Sequence, residues 1–418
     1  PPPVPAKDWY GTYWVKTLGA PGVFFFQPET QALAVAMDAK GFVYVGGSTT
    51  GSLPGGAHQG AEDAFVARFD PSGKLLWVRQ FGTSQGEGVF ALATDSAGNV
   101  YATGHTLGAL GVQRHGDWDF FVAKFAPDGR RLFLKQYGTP LWDKVTGLAL
   151  DGQGNLYVGG FTYGAFPGQR NAGDRDYFLA KLDREGRLLW VRQGGSAGGE
   201  VTLGLAYSPE GALYLVGTTD GQLPGQRPSG GEDIFLVKYD PKGNRLWAKQ
   251  LGTSWDDRGQ SVKADATGVY VAGTTRGSFL GRDPGAKAFL AKLDSKGGLL
   301  WLREFGVAVV EGEGVITGSA YVALGPGGKV YLADSAQGNL PGYLGAGGAD
   351  VFVLEYTSKG ELLGVLQSGT ERDDLTYALA VGPKGEVYVV GSTGASAFVA
   401  KVKVPLRGYV FAGPSSRP

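Results

Sequence analysis

The stretch Gly41-Phe42-Val43-Tyr44-Val45-Gly46-Gly47 decides the architecture, because its tyrosine returns as Tyr101, Tyr157, Tyr214, Tyr270, Tyr331 and Tyr388. The steps between these tyrosines are 57, 56, 57, 56, 61 and 57 residues. Seven units at one period mark a repeat architecture. Around Tyr44 the unit reads as four short strands, A at 32–37, B at 42–47, C at 64–69 and D at 75–80. Asp38-Ala39-Lys40-Gly41 joins A to B and Asp70-Pro71-Ser72-Gly73 joins C to D, each a tight turn with glycine supplying positive φ. Strands this short at this period exclude helical solenoids. They predict an all-β, seven-bladed β-propeller with four antiparallel strands per blade.

The seventh unit stops early. Its strand C at 397–402 runs into Pro405, with no Leu-Leu-Trp strand behind it. The missing piece stands at the other end of the chain, where Tyr13-Trp14-Val15-Lys16-Thr17-Leu18-Gly19 copies Leu76-Trp77-Val78-Arg79-Gln80-Phe81-Gly82. The N-terminal strand therefore completes the C-terminal blade and leaves no open blade edge. The expected organisation is a Pro-rich segment over 1–11, one propeller over 12–404 and a tail over 405–418. Pro1-Pro2-Pro3-Val4-Pro5 reads as a processed end of a Pro-rich spacer.

Composition agrees. Gly is 72 of 418 residues and aromatics are 12%, as many short strands and tight turns require. Lys+Arg and Asp+Glu are both 39, so no basic excess points to nucleic acid. No cysteine is present, which removes disulfides and thiolate chemistry. No apolar run is long enough to span a bilayer. Isoleucine is scarce and Leu, Val, Ala and Arg abundant, a pattern of a GC-rich, thermophilic source.

Several side chains recur with the repeat. Trp14, Trp77, Trp190, Trp247 and Trp301 share one strand D position, with Phe133 in blade two and Gly364 in blade six. They read as packing between blades. Asp63, Asp119, Asp176, Asp233 and Asp350 precede strand C, with Lys287 and Ser396 in blades five and seven, and read as anchors of the loop. A second acidic series, Glu29, Glu87, Asp143, Glu200, Asp257, Glu313 and Asp374, precedes strand A. It has two readings: a channel-mouth ring able to bind Ca²⁺, or ties between adjacent blades. The A–B and C–D turns are short and uniform, whereas the B–C and D–A loops are long and share one face. Function gathers on variable loops of a rigid scaffold, so His58, Arg114, His115, Arg170, Arg227 and Arg282 are candidate contacts there. Blade seven has almost no B–C loop, which predicts a notch. The apolar connection over 307–316 is a candidate partner contact.

The unit Asp-x-x-Gly-Asn-Val-Tyr-x-x-Gly at Asp95–Gly104, followed by Asp119–Phe125 and by Leu-Leu-Trp at Leu188–Trp190, resembles the SBBP-type β-propeller repeat. That resemblance implies a secreted or cell-surface bacterial module without catalysis of its own. The run Ala67–Trp77 is also similar to the tryptophan-docking motif of quinoprotein propellers, whose physical content is again packing. No nucleophile elbow, zinc-protease or phosphate-loop motif is present. The expected function is a monomeric, extracytoplasmic binding or scaffold module that offers its B–C and D–A loops to a protein or glycan. The alternatives are an enzyme at a carboxylate-lined channel mouth (a metal-dependent lyase or hydrolase, or a quinoprotein) and a structural part of a surface layer or filament.

Overall fold

The computed structural model describes residues 3–5, 8–22, 25–111, 113–281, 285–306, 319–340 and 342–406. Seven four-stranded antiparallel sheets follow one another around a central channel. In blade one the strands are Thr30–Met37, Val43–Thr49, Asp63–Phe69 and Leu75–Phe81, and the order A-B-C-D holds in every blade. The strands reach one or two residues further toward the long loops than the hydrophobic run suggests. The reason is polar pairing: Thr49 stands opposite both Thr30 and Asp63, which extends the ladder at that end. Strands B and C are buried on both faces, because each blade is covered by its neighbours.

Blade seven takes strands A to C from Asp374–Val381, Val387–Thr393 and Ser396–Val402, and strand D from Thr12–Leu18. The closure expected from the sequence is thus present. The N-terminal segment contributes more: Val4–Pro5 pairs in parallel with Tyr343–Leu344 of blade six, and the Trp9 ring lies 4.7 Å from that of Phe398. The B–C loop of blade seven shrinks to a hairpin with Thr393 opposite Ser396.

The strand D aromatics pack as expected. Trp77 lies 6.1 Å from Tyr44 in its own blade and donates its indole N–H to Pro127 O of the next blade's C–D turn. That turn carries Gly129 at φ +89°, where a Cβ would stand 3.0 Å from the indole. The same glycine seat receives Trp14, Phe133, Trp190, Trp247 and Trp301 at Gly73, Gly186, Gly243, Gly297 and Gly360. Blade six lacks the ring, and Leu406 fills the place: its Cβ is 2.6 Å from where a Gly364 side chain would begin. The residue before each aromatic, such as Leu76, Leu189 or Leu246, sits at a bulge in strand D and points to solvent. A bulged outer strand is a poor template for pairing with another sheet edge.

Candidate functional site

The two acidic series meet at the blade boundaries. Glu87, Asp143, Glu200, Asp257 and Asp374 each begin strand A and are at most 1% exposed. Each accepts hydrogen bonds from the preceding Gly-Thr or Gly-Ser loop. Glu200 takes the Ser196 N–H at 3.0 Å, and also the hydroxyl of Thr219 in strand B at 2.7 Å; Asp143 takes the Thr139 N–H at 2.6 Å. The strand C acids are equally buried and have one constant companion that the sequence reading missed. Gln80, Gln136, Gln193, Gln250 and Gln367 each donate to the Asp 17 residues earlier, at 2.7–2.9 Å. The same glutamine ties the start of the B–C loop to that Asp at its end: Gln80 also accepts from Leu53 N and donates to Gly51 O. The fixed interval of 17 was the signal available in the sequence.

Across each boundary the two acids face one another over a glycine. A Cβ on Gly195 would stand 2.5 Å from both Asp176 Oδ1 and Glu200 Oε2, so those oxygens are no more than twice that distance apart. Gly82, Gly138, Gly252 and Gly369 hold the equivalent pairs. Burial pushes the Asp143 carboxyl up to about 6, and the Asp119 charge pushes the same way. Burial likewise raises Asp176, Glu200, Asp257, Asp350 and Asp374. Two buried like charges this close favour a proton on one of them.

The series departs from the sequence reading at its ends. Thr30, not Glu29, occupies the strand A position in blade one; it bonds the Thr49 hydroxyl at 2.9 Å while Glu29 is exposed. Its boundary partner is Ser396, so both acids become hydroxyl residues together. Glu313 lies outside the described residues. The five described acids are sealed within separate boundaries rather than lining a common mouth. Among the described residues no three of His, Asp and Glu cluster closely enough to hold one ion. In blade five Lys287 and Glu304 divide the work of one glutamine: Lys287 donates to Gly277 O, while Glu304 accepts from Phe279 N and Ser278 Oγ.

These boundaries fix the backbone of the long-loop face at three positions each, and the residue type at those positions is not set by the repeat. At the blade two–three boundary the Asp143 N–H bonds Trp118 O at 2.7 Å and the Tyr163 N–H bonds Trp142 O at 2.9 Å. The corresponding residues are Glu62, Gly86 and Leu107 one boundary earlier, and Arg175, Gly199 and Asp220 one later. The backbone is common and the chemistry differs. Trp118, Trp142 and Tyr163 form an aromatic ledge, with Trp142 42% exposed. The Lys144 ammonium lies 4.5 Å from the Trp118 ring and 5.3 Å from that of Trp142, and Arg175 lies 6.0 Å from Tyr163. Behind the ledge His105 stacks on Phe90 at 4.2 Å, and burial holds its imidazole neutral with a pKa of about 3.

The predicted loop contacts are dispersed. His58 is 3.4 Å from Asp63, and Arg114 closes its own loop through Gly116 O and Asp117. His115, Arg170 and Arg227 are exposed on successive B–C loops. Arg282 and the connection over 307–316 lie outside the described residues. Sequence reading passed over Trp118 and Trp142, although each immediately precedes a repeat acid.

Residues 76–111 match the model of the SBBP β-propeller repeat, and the structure carries that blade seven times. The chain is similar to the regulatory protein FlaEY of Caulobacter vibrioides, 30% identical over 178 residues. The matched stretch is 36% of this chain and 19% of that protein, so the chain spans only a minor part of its curated relative. Among solved structures it is similar to a PL25 ulvan lyase bound to a glucuronate–rhamnose-3-sulfate saccharide (TM-score 0.54, 12% identity, 94% and 96% of the two chains). It is also similar to YCF48 bound to the D1 peptide (TM-score 0.51, 12% identity, 97% and 100%). At these identities the likeness is one of fold.

Proposed function

We propose that this protein is a non-catalytic, extracytoplasmic binding module that holds an acidic glycan on its long-loop face. The observation that supports the reading is the ledge of Trp118, Trp142 and Tyr163, interleaved with Lys144 and flanked by Arg175. Aromatic faces offer large amphipathic contact area at low entropic cost, and cations beside them suit uronate or sulfate groups. The ledge is pre-organised, because backbone hydrogen bonds, one across the blade boundary and one within blade three, tie its segments together. The similar ulvan lyase is bound to an acidic saccharide, which supports an acidic glycan as the ligand class. No described element is a helix long and apolar enough to cross a membrane.

The test is titration calorimetry with polygalacturonate, alginate, heparin and neutral dextran. Binding of an acidic polymer, lost in Trp142→Ala and weakened by salt, is expected. Absence of binding to all three acidic polymers, or equal binding by Trp142→Ala, overturns the proposal.

A further inference from the structure

The central channel carries one charge that the repeat does not require. The strand A residue opposite each signature tyrosine is Ala36, Ala93, Ala149, Ala206, Ala323 or Ala380 in six blades. In blade five it is Lys263, opposite Tyr270. The six other blades act as internal controls: alanine suffices for the strand and the packing at this position.

Lys263 stands where the two halves of the channel join. The half toward the long loops encloses about 350 Å³ and the half toward the short turns about 410 Å³. Both are within the size range of small-molecule sites. Val35, Leu92, Leu148, Leu205 and Leu379 wall both halves, and Lys263 reaches into both. No Asp or Glu lines either half among the described residues. The Lys263 ammonium has no hydrogen bond or ion pair with a described residue. The side chain is open to channel water yet enclosed by protein, which lowers its pKa. An ammonium between leucine walls serves no need of the strand, since alanine takes its place in every other blade.

We propose that Lys263 anchors a ligand site in the central channel, binding the carboxylate of a monoanion whose apolar chain lies along the leucine walls. A single cation balances one negative charge. A phosphate or sulfate dianion would be left half-neutralised, since no second cation lines the channel among the described residues. The site is separate from the aromatic ledge, and its ligand enters the channel rather than lying on the rim.

Decanoate, decanol and decyltrimethylammonium serve as probes in titration calorimetry on the full chain. One decanoate per chain is expected for the wild type and for Lys263→Arg. Lys263→Ala, which installs the residue of the other six blades and so preserves folding, is expected to weaken decanoate by about tenfold or more, the loss of one charge-assisted contact. Decanol is expected to bind the wild type and Lys263→Ala alike, and decyltrimethylammonium to bind neither more tightly than decanol. No saturable decanoate binding to the wild type, or equal affinity for wild type and Lys263→Ala, overturns the proposal. Should Lys263→Ala melt early, Lys263→Met supplies the same comparison with the chain length kept.

Discussion

Replacing Asp143 by asparagine tests the boundary pairs directly. Asp143 is fully buried opposite Asp119, across Gly138. Burial first, and the Asp119 charge after it, raise its carboxyl from the ordinary 3.8 to about 6. Between those two values the folded chain holds a proton that the unfolded chain has released, so stability falls as pH rises through that window. Linkage puts the loss from this one group at about 2 kcal/mol between roughly pH 4 and pH 7.5. The asparagine carries no charge at any pH; its amide nitrogen gives up one acceptor of the Thr139 N–H and hydroxyl, a cost that does not change with pH. The stability of the variant relative to the wild type should therefore rise by about 2 kcal/mol between roughly pH 4 and pH 7.5. Guanidinium midpoints at the two pH values, with an unchanged m-value, measure the gap. A gap that is the same at both pH values would refute the reasoning, because Asp143 would then be charged in the folded chain throughout.

Gly195→Ala should cost about 1–3 kcal/mol, read as a lowered thermal midpoint, since the new Cβ would press on Asp176 and Glu200 at 2.5 Å. In blade five, Lys287→Asp and Glu304→Gln should each destabilise by about 1–3 kcal/mol through unsatisfied buried groups, while the double variant rebuilds the pairing of the other blades. Additive losses in that cycle would disprove the compensation. Deleting residues 1–18 removes strand D of blade seven and bares Ser396–Val402. Concentration-dependent association by light scattering is expected, and a stable monomer would argue against closure as the guard of that edge.

The ring, its closure and the packing role of the tryptophans were legible because the blade is written seven times at one period. Register at the strand ends was not, since it depends on hydroxyl–carboxylate pairing rather than on apolar alternation. Glu29 is acidic and well spaced, yet Thr30 holds the position because its hydroxyl bonds that of Thr49. Gly364 was a gap in the sequence pattern, and only the path of the chain beyond blade seven brings Leu406 into it. The aromatic ledge escaped notice for the opposite reason: Trp118 and Trp142 occur at one boundary only, so the repeat offers no echo of them.

That contrast gives a rule for reading this molecule. A departure from the repeat is informative when nothing nearby compensates for it. Gly364 is answered by Leu406, and Lys287 by Glu304, so both belong to the architecture. Asp334 replaces the strand B glycine of the other six blades, where a Cβ would meet a strand A carbonyl, as Gly391 would meet Leu375 O. Blade six admits it because its described strand A pairs only from Tyr321, opposite Ala333, and so does not reach Asp334. Its Oδ2 has no hydrogen-bond partner among the described residues, and burial pushes the carboxyl up to about 8. Lys263 is likewise unanswered. The two uncompensated ionisable residues fall in adjacent blades, on the inner strands, beside the one unit whose spacing stretches to 61 residues. Where the copying of the blade was relaxed, chemistry that the scaffold does not need was admitted: Lys263 toward the channel in blade five, and Asp334 buried on strand B of blade six.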